Sequence, residues 1–160
     1  MRNCICILLV LLAFISCRKE EGVHVAASAS NISECYAVLN GLNHTDDTVV
    51  FHPGGQVLQD SATGIIKIHL VDEVSSSTHE ISLYTTRTTA GFDTLTGQTG
   101  PFSNELFSGG NYIADQIVLH IMYFGPPGSE IIGTYSGTML HVNYPDTLRI
   151  NGAFKASRAF

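Results

Sequence analysis

The sequence has no tryptophan and little charge, with only 14% of its 160 residues being Asp, Glu, Lys or Arg. Because 44% of positions are hydrophobic, the low charge excludes a disordered chain, which would have too little apolar surface to bury. Basic residues are the scarcer sign, 8 against 14 acidic, so the cationic footprint that neutralises phosphates is missing and no nucleic-acid partner is expected. Glycine at 15 and proline at 5 are too few for a collagenous or low-complexity chain. No apolar run reaches the roughly 18 residues that a membrane-crossing helix needs, so an integral span is not expected.

What is present begins with an address. Met1-Arg2 supplies a positive start, Ile5 to Ile15 is an unbroken apolar run of secretory length, and small Ser16 stands before Cys17. Residues 1–16 read as a signal peptide. Phe14-Ile15-Ser16-Cys17 resembles the lipobox of bacterial lipoproteins, with Phe14 where Leu is usual. The resemblance implies that Cys17 takes a diacylglyceryl thioether, becomes the first mature residue and is acylated on its amine. Several acyl chains on one residue, at ~0.8 kcal/mol per buried methylene, anchor a protein stably without a span. The next residues, Arg18-Lys19-Glu20-Glu21, look like the surface-export tag of Bacteroidota lipoproteins. That likeness implies passage across the outer membrane with Lys19, Glu20 and Glu21 as the export signal; a solvated charged spacer is the plainer reading of the same run. Residues 17–33 then form the lipidated start and a tether without sustained periodicity.

Removing residues 1–16 takes Arg2 and no acid, leaving seven basic against 14 acidic side chains, a net of −7 with neutral histidines. Such a domain repels anionic surfaces, so contact with the bilayer is expected through the acyl group alone. Cys4 and Cys6 leave with the signal and Cys17 is spent on lipid, so Cys35 has no intrachain partner. Within Glu34-Cys35-Tyr36-Ala37-Val38-Leu39 it is expected to be a small buried hydrophobe.

The body, residues 34–160, has a two-residue rhythm. Leu148, Ile150, Phe154 and Ala156 fall on one face of a run whose other face carries Arg149, Asn151 and Lys155. Further strands are expected at Glu34–Asn40, Thr48–His52, Ile65–Val71, Glu80–Thr85, Ile117–Phe124 and Ile131–Val142, all rich in β-branched or aromatic residues. Pro53-Gly54-Gly55, Gly100-Pro101, Gly109-Gly110-Asn111 and Pro126-Pro127-Gly128 read as turns, and Thr85 to Gly110 as the least regular stretch, an edge meander with weak strands in preference to a functional or mobile loop. Short strands between turns, without amphipathic helices, predict one antiparallel β-sandwich, or alternatively a partly open β-barrel.

Ile132-Gly133-Thr134-Tyr135-Ser136-Gly137-Thr138 and Leu148-Arg149-Ile150-Asn151-Gly152-Ala153-Phe154-Lys155 resemble the endings of small uncharacterised Bacteroidota lipoproteins, with Tyr135 in place of Phe. Ala37-Val38-Leu39-Asn40-Gly41 is similar to their opening strand. The resemblance implies an all-β fold and brings no catalytic residues. The glycines at 133 and 137 share a strand face and permit close approach, and Asn151-Gly152 reads as a bulge or bend.

Chemistry is sparsely marked. The seven histidines, at 24, 44, 52, 69, 79, 120 and 141, form no zinc spacing, although strands could gather His69, His120 and His141 around a transition metal. Asp46 and Asp47, with Asp60 or Asp72-Glu73, offer oxygen ligands for calcium, but read better as a polar hairpin turn. Tyr84, Tyr112, Tyr123, Tyr135 and Tyr144 are candidates for a carbohydrate platform, against the ordinary role of core or rim tyrosines. No cofactor is implied. The sequence therefore predicts a surface-exposed outer-membrane lipoprotein acting as a non-enzymatic binding or accessory module, with a glycan or an envelope protein as its partner. The alternatives are a structural subunit of an envelope assembly that offers a strand edge, and a small hydrolase.

Overall fold

The computed structural model describes residues 32–41, 44–73, 79–108 and 110–160. Its strands, in chain order, are β1 (Cys35–Gly41), β2 (His44–Phe51), β3 (Pro53–Gln59), β4 (Ile66–Asp72), β5 (His79–Thr85) and β6 (Gly91–Leu95). They continue with β7 (Gln98–Thr99), β8 (Phe102–Ser103), β9 (Glu105–Ser108), β10 (Asn111–Phe124), β11 (Glu130–His141) and β12 (Thr147–Arg158). The expected all-β class holds. Around a closed ring the order is β11, β10, β9, β5, β4, β3 and β12, with β12 returning to β11. Of the two predicted architectures the barrel is the one realised.

Closure follows from two long strands that each serve two layers. One edge of β12 pairs with β11 from Ser157↔Glu130 to Thr147↔Leu140. Its other edge divides, pairing with β1 around Asn151↔Val38 and, in parallel, with β3 from Ala156↔Gly55 to Arg158↔Val57. β10 divides likewise, between β9 at Tyr112↔Leu106 and β6 from Ile117↔Leu95 to Ile121↔Gly91. The ring is thus a closed barrel with β1–β2 and β6 as wings, which widen one wall to β6-β10-β11-β12-β1-β2 and leave β3-β4-β5-β9 as the other. Two such walls pack face to face as sandwich layers do, joined at both corners by shared strands.

Alternation fills the interior. Leu148, Ile150, Phe154 and Ala156 are buried as the pattern requires, and so are Ile131, Tyr135 and Met139 on β11. Cys35, Ala37 and Leu39 turn inward from β1, and Ile66, Ile68 and Leu70 from β4, to join the same core. Glycines permit the tightest crossings. A Cβ on Gly137 would lie 2.0 Å from the Gln116 carbonyl oxygen, and one on Gly133 would lie 2.4 Å from that of His120. Gly152 does not bulge as expected: it keeps register between Tyr135 and Ala37 and leaves the space that the Tyr135 ring occupies.

Three expectations are corrected. Pro53-Gly54-Gly55 opens β3 instead of making a turn, because its parallel pairing begins only at Gly55, and Pro53 as a first strand residue needs no ladder donor. Gly55 faces the core, where a Cβ would meet Leu70 at 2.6 Å and Ala156 at 2.8 Å. β10 begins at Asn111, six residues before the predicted Ile117, and β2 begins at His44, four before the predicted Thr48, while Thr85 to Gly110 holds the expected weak strands as β6 to β9.

Candidate functional site

The residues expected to carry the anchor and export signal, Cys17, Lys19, Glu20 and Glu21, lie outside the described residues. What is described starts at the fork where β1 and β3 part along β12. There the ladder leaves the Lys155 backbone between partners, and Cys35 fills the gap: its thiol donates to the Lys155 carbonyl oxygen at 3.3 Å and accepts from the Lys155 N–H at 3.2 Å. Burial pushes the thiol pKa up, although the Lys155 and Gly55 backbone favours the thiolate. Cys35 is therefore the predicted buried residue, poorly suited to nucleophilic work.

Beside the fork lies a cleft of about 370 Å3, lined by Gly54, Gly55, Gln56, His69, Val71, Glu73 and Ser157. Burial lowers the His69 pKa, the neighbouring Lys67 charge lowers it further, and Glu80 opposes both. Its Nδ1 lies 3.3 Å from the Ser82 hydroxyl and 3.4 Å from the Glu80 carboxylate. Serine, histidine and carboxylate meet here, but at one ring nitrogen. A nucleophilic relay needs the acid on one nitrogen and the hydroxyl on the other, so this trio holds the ring in place and does not activate Ser82.

The three histidines weighed as metal ligands are not brought together. His69 lies on β4; His120 stacks on Phe92 with centroids 4.0 Å apart; His141 packs edge-on against Tyr112 and beside Tyr144. Among the described residues no group of three metal-ligating side chains forms. Asp46 and Asp47 sit at the β1–β2 hairpin, where Asp46 is bonded by Asn40 and Asp47 lies 2.8 Å from His44 Nδ1. Asp60 makes its own turn, accepting from the Ala62 N–H and the Thr63 hydroxyl, and its carboxyl is lowered by those bonds. Asp46, Asp47 and Asp60 are therefore engaged in separate turns, and Asp72 ends β4 with Glu73 beside the cleft.

The outer faces of the two walls differ in chemistry. Across β3, β4, β5 and β9 one row reads Gln56, His69, Ser82, Glu105 and the next Gly54, Val71, Glu80, Phe107. That wall carries acids and the Lys67–Tyr84 contact. Across the wide wall, register aligns Phe92, His120, Thr134, Ala153, Tyr36 and Val50 from β6 to β2. The adjacent row is Thr94, Val118, Ser136, Asn151, Val38 and Thr48. None of these twelve is Asp, Glu, Lys or Arg. Phe92 is 61% exposed, Val118 40% and Tyr36 37%, so apolar and aromatic groups stand open among hydroxyls and an amide.

Charge returns only beyond the rows. On one side Lys155 pairs with Glu130 at 3.2 Å, close to exposed Tyr123 and its partner Ile132. On the other lies a shallow depression of about 570 Å3 lined by Asn40, Gly41, Thr147, Arg149 and Asn151, with Asp115 held by the Thr138 hydroxyl nearby.

Of the tyrosines predicted as a platform, only Tyr123 stands on this wall. Tyr84 stacks on Phe102 on the opposite side, and Tyr112 is buried with its hydroxyl donating to Asp146. Tyr135 is in the core and Tyr144 in the β11–β12 loop. Tyr36 and Phe92 were not singled out. For Tyr36 the signal was available, since alternation with buried Cys35 and Ala37 turns it outward. For Phe92 it was not, because its place depends on β6 pairing with a strand more than twenty residues away. Compared with known protein families, with curated proteins and with solved structures, the chain finds no match.

Proposed function

We propose that the chain is an outward-facing, lipid-anchored module of the outer membrane that binds a partner and catalyses no reaction. The observation that carries the binding part is the pair of adjacent uncharged rows on the wide wall, six side chains each with open aromatic rings, whereas the rows of the other wall carry Glu80 and Glu105. Exposed apolar groups collected on one face of a monomer mark an interaction surface, whereas scattered ones need no explanation. The anchoring part rests on the signal-like run before Cys17 and its lipobox resemblance.

A face is favoured over a strand edge as the contact. Among the described residues β2 pairs only with β1, but its outer edge carries Asp46 and Asp47, and Asp46 has left-handed backbone with φ 52°. Charge and a local kink are devices that prevent strand addition. Replacing Cys17 by Ala tests the anchor. The wild-type protein is expected in the outer-membrane fraction and accessible to antibody on whole cells, and the variant in the soluble fraction; unchanged membrane fractionation would overturn this reading of the address.

A further inference from the structure

We infer that the two uncharged rows of the wide wall bind an uncharged saccharide chain. This rests on the binding-module reading and names its ligand class. Three features of the wall select that class. The first is charge: the domain, residues 34–160, has 12 acids and places none on either row, so a phosphate, sulfate or uronate polymer would gain no ion pair there and would meet a negative molecule around it. The second is residue type. Seven of the twelve positions are Thr, Ser or Val, which are under-represented among residues that carry protein–protein binding energy. Hydroxyls and the Asn151 amide, each both donor and acceptor, suit the hydroxyls of a sugar.

The third is the placement of rings. Phe92 lies flat against His120, with an interplanar angle of 11°, and forms one aromatic step; Tyr36 forms another. Between them lie half-buried Thr134 and buried Ala153, a low floor, and the steps are separated by four strand spacings, about 19 Å. Small residues between two rings leave a shallow track along which a short oligosaccharide can rest its apolar C–H faces on the rings while its hydroxyls meet the neighbouring Thr94, Ser136 and Asn151. Gain on binding then comes from ring contact and hydrogen bonds together, as in mostly apolar sites with a few placed polar groups.

The full chain in detergent is passed over immobilised neutral glucan, mannan, xylan and galactan oligosaccharides, alongside uronate- and sulfate-bearing chains. Retention by at least one neutral series is expected, unchanged as salt is raised, and weakened about tenfold by Phe92→Ala or Tyr36→Ala. Tyr36→Phe should restore most of it, and Phe107→Ala, a 45% exposed ring on the other wall, should leave it unmoved. Binding only to charged chains, a loss with salt, an equal loss with Phe107→Ala, or no retention would overturn the saccharide assignment. A photocrosslinker at Val118 in cells separates the two levels. A single protein adduct without glycan retention overturns the saccharide and keeps a binding module, whereas neither adduct nor retention overturns both.

Discussion

Tyr135 is wholly buried, yet its hydroxyl finds a partner: it reaches past Gly152 on β12 and donates to the Tyr36 carbonyl oxygen on β1 at 2.9 Å. Burial raises its pKa well above the phenol range, so the bond is made by the neutral group. Tyr135→Phe should cost about 1 to 2 kcal/mol, the net worth of one buried hydrogen bond. Gly152→Ala should cost more, because its Cβ would lie 2.2 Å from the same carbonyl oxygen and 2.5 Å from the phenol oxygen. Urea denaturation of both variants checks the order, and equal stability of Gly152→Ala and wild type would contradict the packing. Residue identity was partly legible here. The two-residue rhythm placed Tyr135 with Ile131 and Met139, and put Cys35 inside. The reason for a Tyr at this position was not legible, because the accepting carbonyl is 99 positions away.

Strands written as β-branched alternation could be read directly, as β4, β5 and β12 were. Those held by side chains from elsewhere could not. Asn104 explains the difference for β6 to β9. It is fully buried; its Oδ1 accepts from the Tyr84 N–H at 2.6 Å, and its Nδ2 donates to the Thr96 carbonyl oxygen at 2.7 Å and the Thr99 hydroxyl at 2.9 Å. Its own backbone bonds Gly97 and Ala114. One side-chain amide therefore ties β5, the loop after β6 and β7 together, and the same residue's backbone adds β10, in a stretch whose local pattern gives no such cue. Asn104→Ala should destabilise by about 2 to 4 kcal/mol, since it strands several buried donors and acceptors at once. Hydrogen exchange should show residues 96–104 opening before β4 or β12; a uniform loss across the molecule would argue against this local role. β3 was missed for another reason: Pro and Gly signal a turn locally, and only the close approach of Leu70 and Ala156 to Gly55 reveals why a strand uses them.

At the scale of the whole molecule, two walls with unlike outer chemistry share one core, and neither their pairing nor their contrast is visible until distant strands are set in register. The charged wall gives a pH signature. His69 is held below the ordinary imidazole range by burial and by Lys67, so the folded state prefers the neutral ring. Its full contribution to stability is present above the unfolded pKa of ~6.5 and is lost as pH falls toward the depressed folded value, where the unfolded chain binds more protons. Urea midpoints at about pH 5.5 and 7.5 should therefore rise with pH, and His69→Gln should shrink that rise. A variant with the wild-type slope would sink the assignment.

The sharing of β12 among β11, β1 and β3 also fixes a timetable. A ribosome releases residues 147–158 after every other described strand, so β1 can pair with β2, and β3 with β4, well before β12 arrives to close the ring. Because most native contacts join distant parts of the chain, maturation is slow and late.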